Sequence, residues 1–330
     1  MEKRKFIIDA DTGSDDAVAI LMALRHPYID VKGLTIVSGN VPLEQGILNT
    51  LATAELCEQK IKIYAGANSP LEREYKEIHS LEDFSNHVQS LSPVSASGQC
   101  VHGVDGMGDI GIRPNNVKFE DQNAVDFLIK SFTEEPNQIT LVTLGPLTNI
   151  AKVLKKDKSI ANKIKHCYVM GGTSDGSGNV SASAEYNIWV DPEAAKIVFD
   201  SELDITMVGW DNSYKYAMLK NEEIKTLKSI KTEYADFCVD IQKTLIEITN
   251  ESYGFYGFDL PDPITMAIAI DNSVILESKQ LHVLVDTRDG ITRGQTIVDY
   301  FNTEKGNQNI RVVTKSDNKK FLKLLINLAK

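Results

Sequence analysis

"FIIDADTGSDD", residues 6–16, decides how this chain is read. Phe6, Ile7 and Ile8 form a short apolar run that ends in Asp9, and Asp11, Asp15 and Asp16 follow closely. Gly13 permits a tight turn, and "AVAILMAL" continues with the composition of a buried helix. The acidic cluster therefore falls where a first strand turns into a first helix. In an open parallel sheet that is where ligands bind. Helix capping accounts for Asp15 or Asp16, whose charge favours a helix N-terminus, but not for Asp9 and Asp11 as well. Oxygen-only ligands at this spacing suit a hard cation, Ca2+ or Mg2+, whose charge removes the repulsion among them.

Working outward, the runs "KFIID", "VKGLTIV", "IKIY", "ITLVTL", "IKHCYVM" and "LDITMV" alternate with stretches of helical spacing. Leu43, Ile47, Leu48, Leu51 and Leu56 recur at helical intervals, as do Ala124, Phe127, Leu128 and Phe132. This rhythm predicts an α/β fold, an open, mostly parallel (mixed), Rossmann-like sheet flanked by helices. No repeat or linker divides the chain, so residues 1–330 are expected to form a single domain. Two regions break the rhythm: residues 68–118, polar and rich in Ser, Gly, Asn and Pro, and "NESYGFYGFDLPD" at 250–262, aromatic and without a helical period. Both are expected to be pocket-lining loops.

The composition narrows the function. With 35 basic and 46 acidic side chains the net charge is -11, which disfavours a nucleic-acid partner. Cys57, Cys100, Cys167 and Cys238 are scattered and read as reduced thiols of a cytoplasmic protein. The N-terminus is too short in apolar residues for a signal-peptide core, and no run approaches the length of a membrane span.

A D-x-D behind a first strand also occurs in phosphoryl-transfer enzymes with an aspartyl nucleophile. Such enzymes prefer Thr where this chain has Gly13, and they have no need of Asp15 and Asp16. Asp9, Asp11, Gly13, Asp15 and Asp16 instead match in full the signature D-x-D-x-G-x-D-D. Further blocks follow in order: "SGNV" at 38–41, "VHGVDGMG" at 101–108, "LGPLTNIA" at 144–151, "VMGG" at 169–172, "GNVSASAEYNIWVDPEAA" at 178–195, "PDP" at 261–263 and "TRGQTIVD" at 292–299. On these blocks the chain resembles the inosine-uridine preferring nucleoside hydrolases along nearly its whole length.

The resemblance implies the nucleoside hydrolase fold and hydrolysis of the N-glycosidic bond of ribonucleosides to ribose and free base. It implies a bound Ca2+ that holds the attacking water and the ribose hydroxyls. Departure of the base leaves an oxocarbenium-like centre, which surrounding carboxylates stabilise. Carried over, Asp11 is general base and metal ligand, Asp16 and Asp262 are metal ligands, and Leu144 supplies a main-chain carbonyl. Asp15, Asn40 and Asn187 match ribose-hydroxyl contacts, Asn179 and Glu185 match contacts near the 5′-hydroxyl, and Met170 packs on the sugar. Relatives also imply a homodimer or homotetramer.

Each residue has a plainer reading beside this one. Asn40 and Asn179 follow glycines and suit turns. Asp262 suits a cap for "ITMAIAI", and Met170 suits core filling. Glu185 and Asn187, two apart, are expected on one face of a strand. "TRGQTIVD" is assigned to the fold, and Asp9 to orienting its neighbours.

One departure matters. Many members carry a proton-donating His before the late aspartate, where this chain has Pro261. His102 is then the nearest acid for the leaving base. Purine-preferring relatives without that His are thought to sandwich the base between aromatic rings. Trp210, Tyr253, Phe255, Tyr256 and Phe258 could do this, Trp210 being assigned to the pocket, although core packing is the commoner fate of aromatics. The expectation is a purine-preferring hydrolase. The alternatives are a broad inosine/uridine or pyrimidine-preferring hydrolase, a phosphatase, or a non-catalytic nucleoside-binding protein.

Overall fold

The computed structural model describes residues 3–72 and 101–330, leaving aside the side chains of Ser252 and Tyr253. The strands are β1 (Arg4–Ala10), β2 (Ile29–Ile36), β3 (Ile63–Ala65), β4 (Ile139–Thr143), β5 (His166–Met170), β6 (Ile205–Val208), β7 (Met218–Lys220), β8 (Gly257–Asp259), β9 (Ile275–Val285), β10 (Thr296–Asp299) and β11 (Ile310–Ser316). The helices are α1 (Ser14–Arg25), α2 (Leu43–Leu56), α3 (Ala124–Glu134), α4 (Thr148–Lys156), α5 (Tyr186–Val190), α6 (Pro192–Phe199), α7 (Trp210–Tyr216), α8 (Asn221–Ser229), α9 (Glu233–Asp240), α10 (Lys243–Tyr253), α11 (Pro261–Ile270) and α12 (Asn318–Leu328).

Nine strands form one sheet in the order β10-β9-β11-β6-β5-β4-β1-β2-β3, while β7 and β8 pair separately. From β3 to β11 every pairing is parallel; only β9 and β10 join antiparallel at one edge. The open, mostly parallel, mixed sheet is therefore the observed fold.

β1 shows why the opening stretch is decisive. Phe6 and Ile8 enter the apolar cluster on one face of the sheet, and Ile7 enters the other. All three are fully buried, as a strand covered by helices on both faces requires, and each such side chain contributes about 1.5–3 kcal/mol. The first face is covered by α1, α2, α11 and α12, and the second by α3, α4 and α6.

The six apolar runs become β1 to β6. The three C-terminal sheet strands carry a weaker pattern. β9, "ILESKQLHVLV", is largely solvent-facing in its first half, where charge replaces the apolar run. The region 250–262 is more regular than its composition suggests: α10 extends to Tyr253, Gly254 ends it in the left-handed region, and β8 follows. Cys57, Cys167 and Cys238 are buried and unpaired among the described residues, outside which Cys100 lies. Among the described residues no helix is long and apolar enough to cross a membrane.

Candidate active site

The site lies beyond the carboxyl ends of β2, β1, β4, β5 and β6, where each strand delivers one residue. Asp11 follows β1, Asn40 lies in the loop after β2, Leu144 follows β4, Met170 ends β5, and Trp210 follows β6 to open α7. The pairing of β1 with β4 puts Asp11 beside Leu144, whose N–H donates to the carbonyl of Asp9 at 2.8 Å. Asp15 and Asp16 occupy the first turn of α1, and Asp262 that of α11, which packs against α1.

One carboxylate oxygen each of Asp15, Asp16 and Asp262 lies within 4.8 Å of the others. The charge of Asp11 acts on this group, helping to push the Asp16 and Asp262 carboxyls upward after burial has done most of it. Burial likewise pushes Asp11 up to about 8. The Oδ1 atoms of Asp11, Asp15, Asp16 and Asp262 are buried and make no hydrogen bond among the described residues. Unpartnered carboxylate oxygens gathered in a dry site would be costly without a cation. This donor set therefore fits a hard divalent ion.

The remaining oxygens are held. Asp11 Oδ2 accepts from the Asn40 N–H at 2.7 Å, and Asp16 Oδ2 accepts from the Gly13 N–H at 2.9 Å and from Asn40 Nδ2 at 3.2 Å. So Asp16, not Asp15, takes up the α1 N-terminus. The glycines of "SGNV" and "LGPLTNIA" have a local reason: a Cβ on Gly39 would overlap Asp11 Oδ2, and one on Gly145 would lie 2.7 Å from Asp11 Oδ1. Asp9 points away, accepting from Thr35 Oγ1 and from Asn149 Nδ2 at 2.8 Å, with burial pushing it up to about 7.

A cavity of about 560 Å3 opens above this cluster, lined by Asp15, Asn40, His102, Leu144, Met170, Asn179, Glu185, Asn187, Trp210 and Asp262 among others. Its outer wall is aromatic and apolar: Trp210, Tyr214, Leu245, Ile248, Phe255 and Phe258. Tyr256 is exposed instead. Pro261 also lines the cavity. From the 68–118 region, residues 73–100 lie outside the described residues, and Val101 and His102 reach the cavity.

Two expectations change. Glu185 and Asn187 do not share a strand face: Glu185 is the N-cap of α5 and accepts from the N–H groups of Asn187 and Ile188, and also from that of Gly172. A spacing of two reads as β only when a ladder partner exists, and here the backbone N–H groups turn to the carboxylate instead. Asp262 does not cap α11; Leu260 stands at the cap position without a side-chain bond, leaving Asp262 Oδ1 unpartnered. Met170 serves both readings, belonging to the core and to the cavity floor.

Asn187 Nδ2 donates to the Leu144 carbonyl at 2.7 Å and lies 3.1 Å from Met170 Sδ, and Asn179 Oδ1 accepts from the Tyr186 N–H at 2.9 Å. Trp210 is fixed by Asp259, which accepts from its Nε1 at 3.0 Å and from Ser213 Oγ at 2.8 Å. Asn149 and Asp259 carry weight that the sequence left unassigned. Asn149 stands inside the quoted "LGPLTNIA" block, whereas nothing around Asp259 signals that it orients an indole.

The family model of the inosine-uridine preferring nucleoside hydrolases matches residues 6–323, and the chain belongs to that family. Probable uridine nucleosidase 1 of Oryza sativa subsp. japonica is 34% identical over 299 residues, 91% of this chain and 86% of that protein. The pyrimidine-specific ribonucleoside hydrolase RihB of Escherichia coli is 32% identical, covering 91% and 88%. Among solved structures, the purine-preferring ribonucleoside hydrolase from Gardnerella vaginalis superposes with a TM-score of 0.85 at 32% identity over 99% of both chains. The protein is an enzyme, a nucleoside hydrolase, which sets aside the phosphatase and the non-catalytic binder.

Proposed function

We propose that this hydrolase prefers purine ribonucleosides and works with Ca2+ held by Asp11, Asp16, Asp262 and the Leu144 carbonyl. The four unpartnered carboxylate oxygens support the ion site, since a cation there would keep them ionised and supply the partner they lack. Such an ion, when bound, lowers the pKa of water and offsets the carboxylate repulsion.

The residues of the chain do the rest. Asp11, with one oxygen fixed by Asn40 and the other open, takes the proton of the attacking water. Asp15, Asn40 and Asn187 bind the ribose hydroxyls, and Asn179 and Glu185 stand towards the 5′ end with Met170 beneath the sugar. The buried carboxylates stabilise positive charge growing on the ribosyl ring. His102 supplies the proton that the departing base needs, because Pro261 cannot.

The aromatic wall of Trp210, Tyr214, Phe255 and Phe258 carries the purine preference, since a two-ring base covers more of it. A pyrimidine preference is the second reading, favoured by His102 at the cavity wall and by the names of the rice and Escherichia coli relatives. A kcat/KM panel of inosine, adenosine, uridine and cytidine separates the two. Trp210→Ala should raise KM for inosine more than for uridine. A wild-type preference for uridine ends the purine reading and leaves the hydrolase intact.

A further inference from the structure

His102 does not stand alone. Its Nδ1 lies 2.8 Å from Ser14 Oγ, and Ser14 Oγ lies 2.7 Å from Gln242 Oε1. Ser14 and Gln242 are fully buried, and Ser14 is the first residue of α1 while Gln242 precedes α10. The loop bearing His102 is pressed onto the same place. Gly108, at φ +69°, donates its N–H to the His102 carbonyl at 2.8 Å, and a Cβ there would lie 2.5 Å from the Ile241 carbonyl.

The direction of the hydrogen bonds follows from the donor inventory. A carbonyl oxygen only accepts, and a serine hydroxyl has one proton. With Gln242 turning Oε1 to Ser14 and leaving its buried Nε2 without a partner among the described residues, the serine proton goes to Oε1, Ser14 Oγ meets the imidazole as an acceptor, and His102 Nδ1 carries hydrogen. Asp15 Oδ1, 3.6 Å from Nδ1, favours the same arrangement. With Nδ1–H committed, Nε2 is the ring nitrogen left to the cavity that His102 lines.

We propose that Ser14 and Gln242 are positioning residues that fix the tautomer and ring orientation of His102, so that Nε2 faces the nucleobase. This rests on the assignment of His102 as the leaving-group acid. As the N-glycosidic bond breaks, its electron pair goes to the base, the base takes the Nε2 proton, and the ring is left neutral with Nδ1–H still on Ser14. Solvent returns the proton to Nε2. Because Gln242 also opens α10, which carries Leu245, Ile248 and Thr249 of the cavity wall, the acid and the base-binding surface are set by one buried contact.

Two measurements on the full chain test this. The first is 15N NMR of histidine-labelled protein at a pH where the ring is neutral, with the His102 signals assigned by their loss in His102→Ala. Wild type should show protonated Nδ1, and Ser14→Ala and Gln242→Met should shift the ring towards a tautomer mixture. A wild-type ring protonated at Nε2, or one unmoved by both variants, overturns the proposal.

The second compares inosine with 4-nitrophenyl riboside, whose leaving group departs as a stable anion and needs no acid. General acid catalysis contributes about 100-fold or more, so Ser14→Ala and Gln242→Met should lose far more kcat on inosine than on the nitrophenyl riboside, with little change in KM. Ser14→Thr, which keeps the hydroxyl, should recover most of the inosine rate. Activity on the nitrophenyl riboside shows that each variant is folded. Equal losses on both substrates in His102→Ala would refute the acid assignment itself. A selective loss in His102→Ala without one in Ser14→Ala or Gln242→Met would refute only the positioning role.

Discussion

Removing the divalent cation should make the stability of this protein depend on pH in a direction set by its buried carboxylates. In the ion-free chain Asp11 holds its proton up to about pH 8, while the unfolded chain releases it near the ordinary value of 3.8. Between those values the native state binds more protons than the unfolded state, so stability is full below about pH 4 and falls as pH rises towards 8. Each tenfold difference in proton affinity is worth about 1.4 kcal/mol, so Asp11 alone removes on the order of 4 kcal/mol between pH 5 and pH 8. Asp16 and Asp262, also pushed upward by burial, act in the same direction. At about 2.1 cal/mol/K of unfolding entropy per residue, 330 residues give about 0.7 kcal/mol/K, and 4 kcal/mol becomes roughly 6 °C in Tm. A bound cation reverses the term by favouring the charged carboxylates. Calorimetry of dialysed protein with and without added Ca2+ should therefore show a Tm gap wider at pH 8 than at pH 5 by about that amount. A gap equal at both values, or wider at pH 5, would refute the reasoning.

Other perturbations follow from the same geometry. Asp11→Asn should lower kcat by about 100-fold or more while substrate still binds, as read by stopped-flow and equilibrium titration. Asn187→Leu releases the Leu144 carbonyl and should weaken cation affinity by about 10- to 100-fold, measured by calorimetric titration. Asn149→Ala, which strips Asp9 of a donor, should weaken affinity in the same way without touching the cavity. Gly39→Ala forces the Asp11 carboxylate aside and should cost about 1–3 kcal/mol along with most of the activity, visible together in melting curves and initial rates.

Much of the molecule is legible in its sequence because parallel strands covered on both faces must be continuous apolar runs. That is why β1 to β6 stand out, and why Asp11 could be placed beyond a strand end without any coordinates. The antiparallel edge could not be read in this way, since β9 is half solvent-facing and its charged residues mask the alternation. Helix caps misled for a related reason: a carboxylate such as Glu185 satisfies backbone N–H groups over one short turn, and two-residue spacing in sequence looks the same for a cap as for a strand.

By itself the sequence determined the class of sheet, the acidic turn at its carboxyl end, the blocks that define the family and the missing acid at Pro261. Only the tertiary structure decided which carboxylate oxygens are held and which are left open. It also decided that Asp259 fixes Trp210 and that Ser14 meets His102 across 88 residues of chain and Gln242 across 228. Hydrophobic pattern is local and is written residue by residue, whereas a hydrogen bond between distant side chains depends on where separate elements cross, which no local stretch encodes.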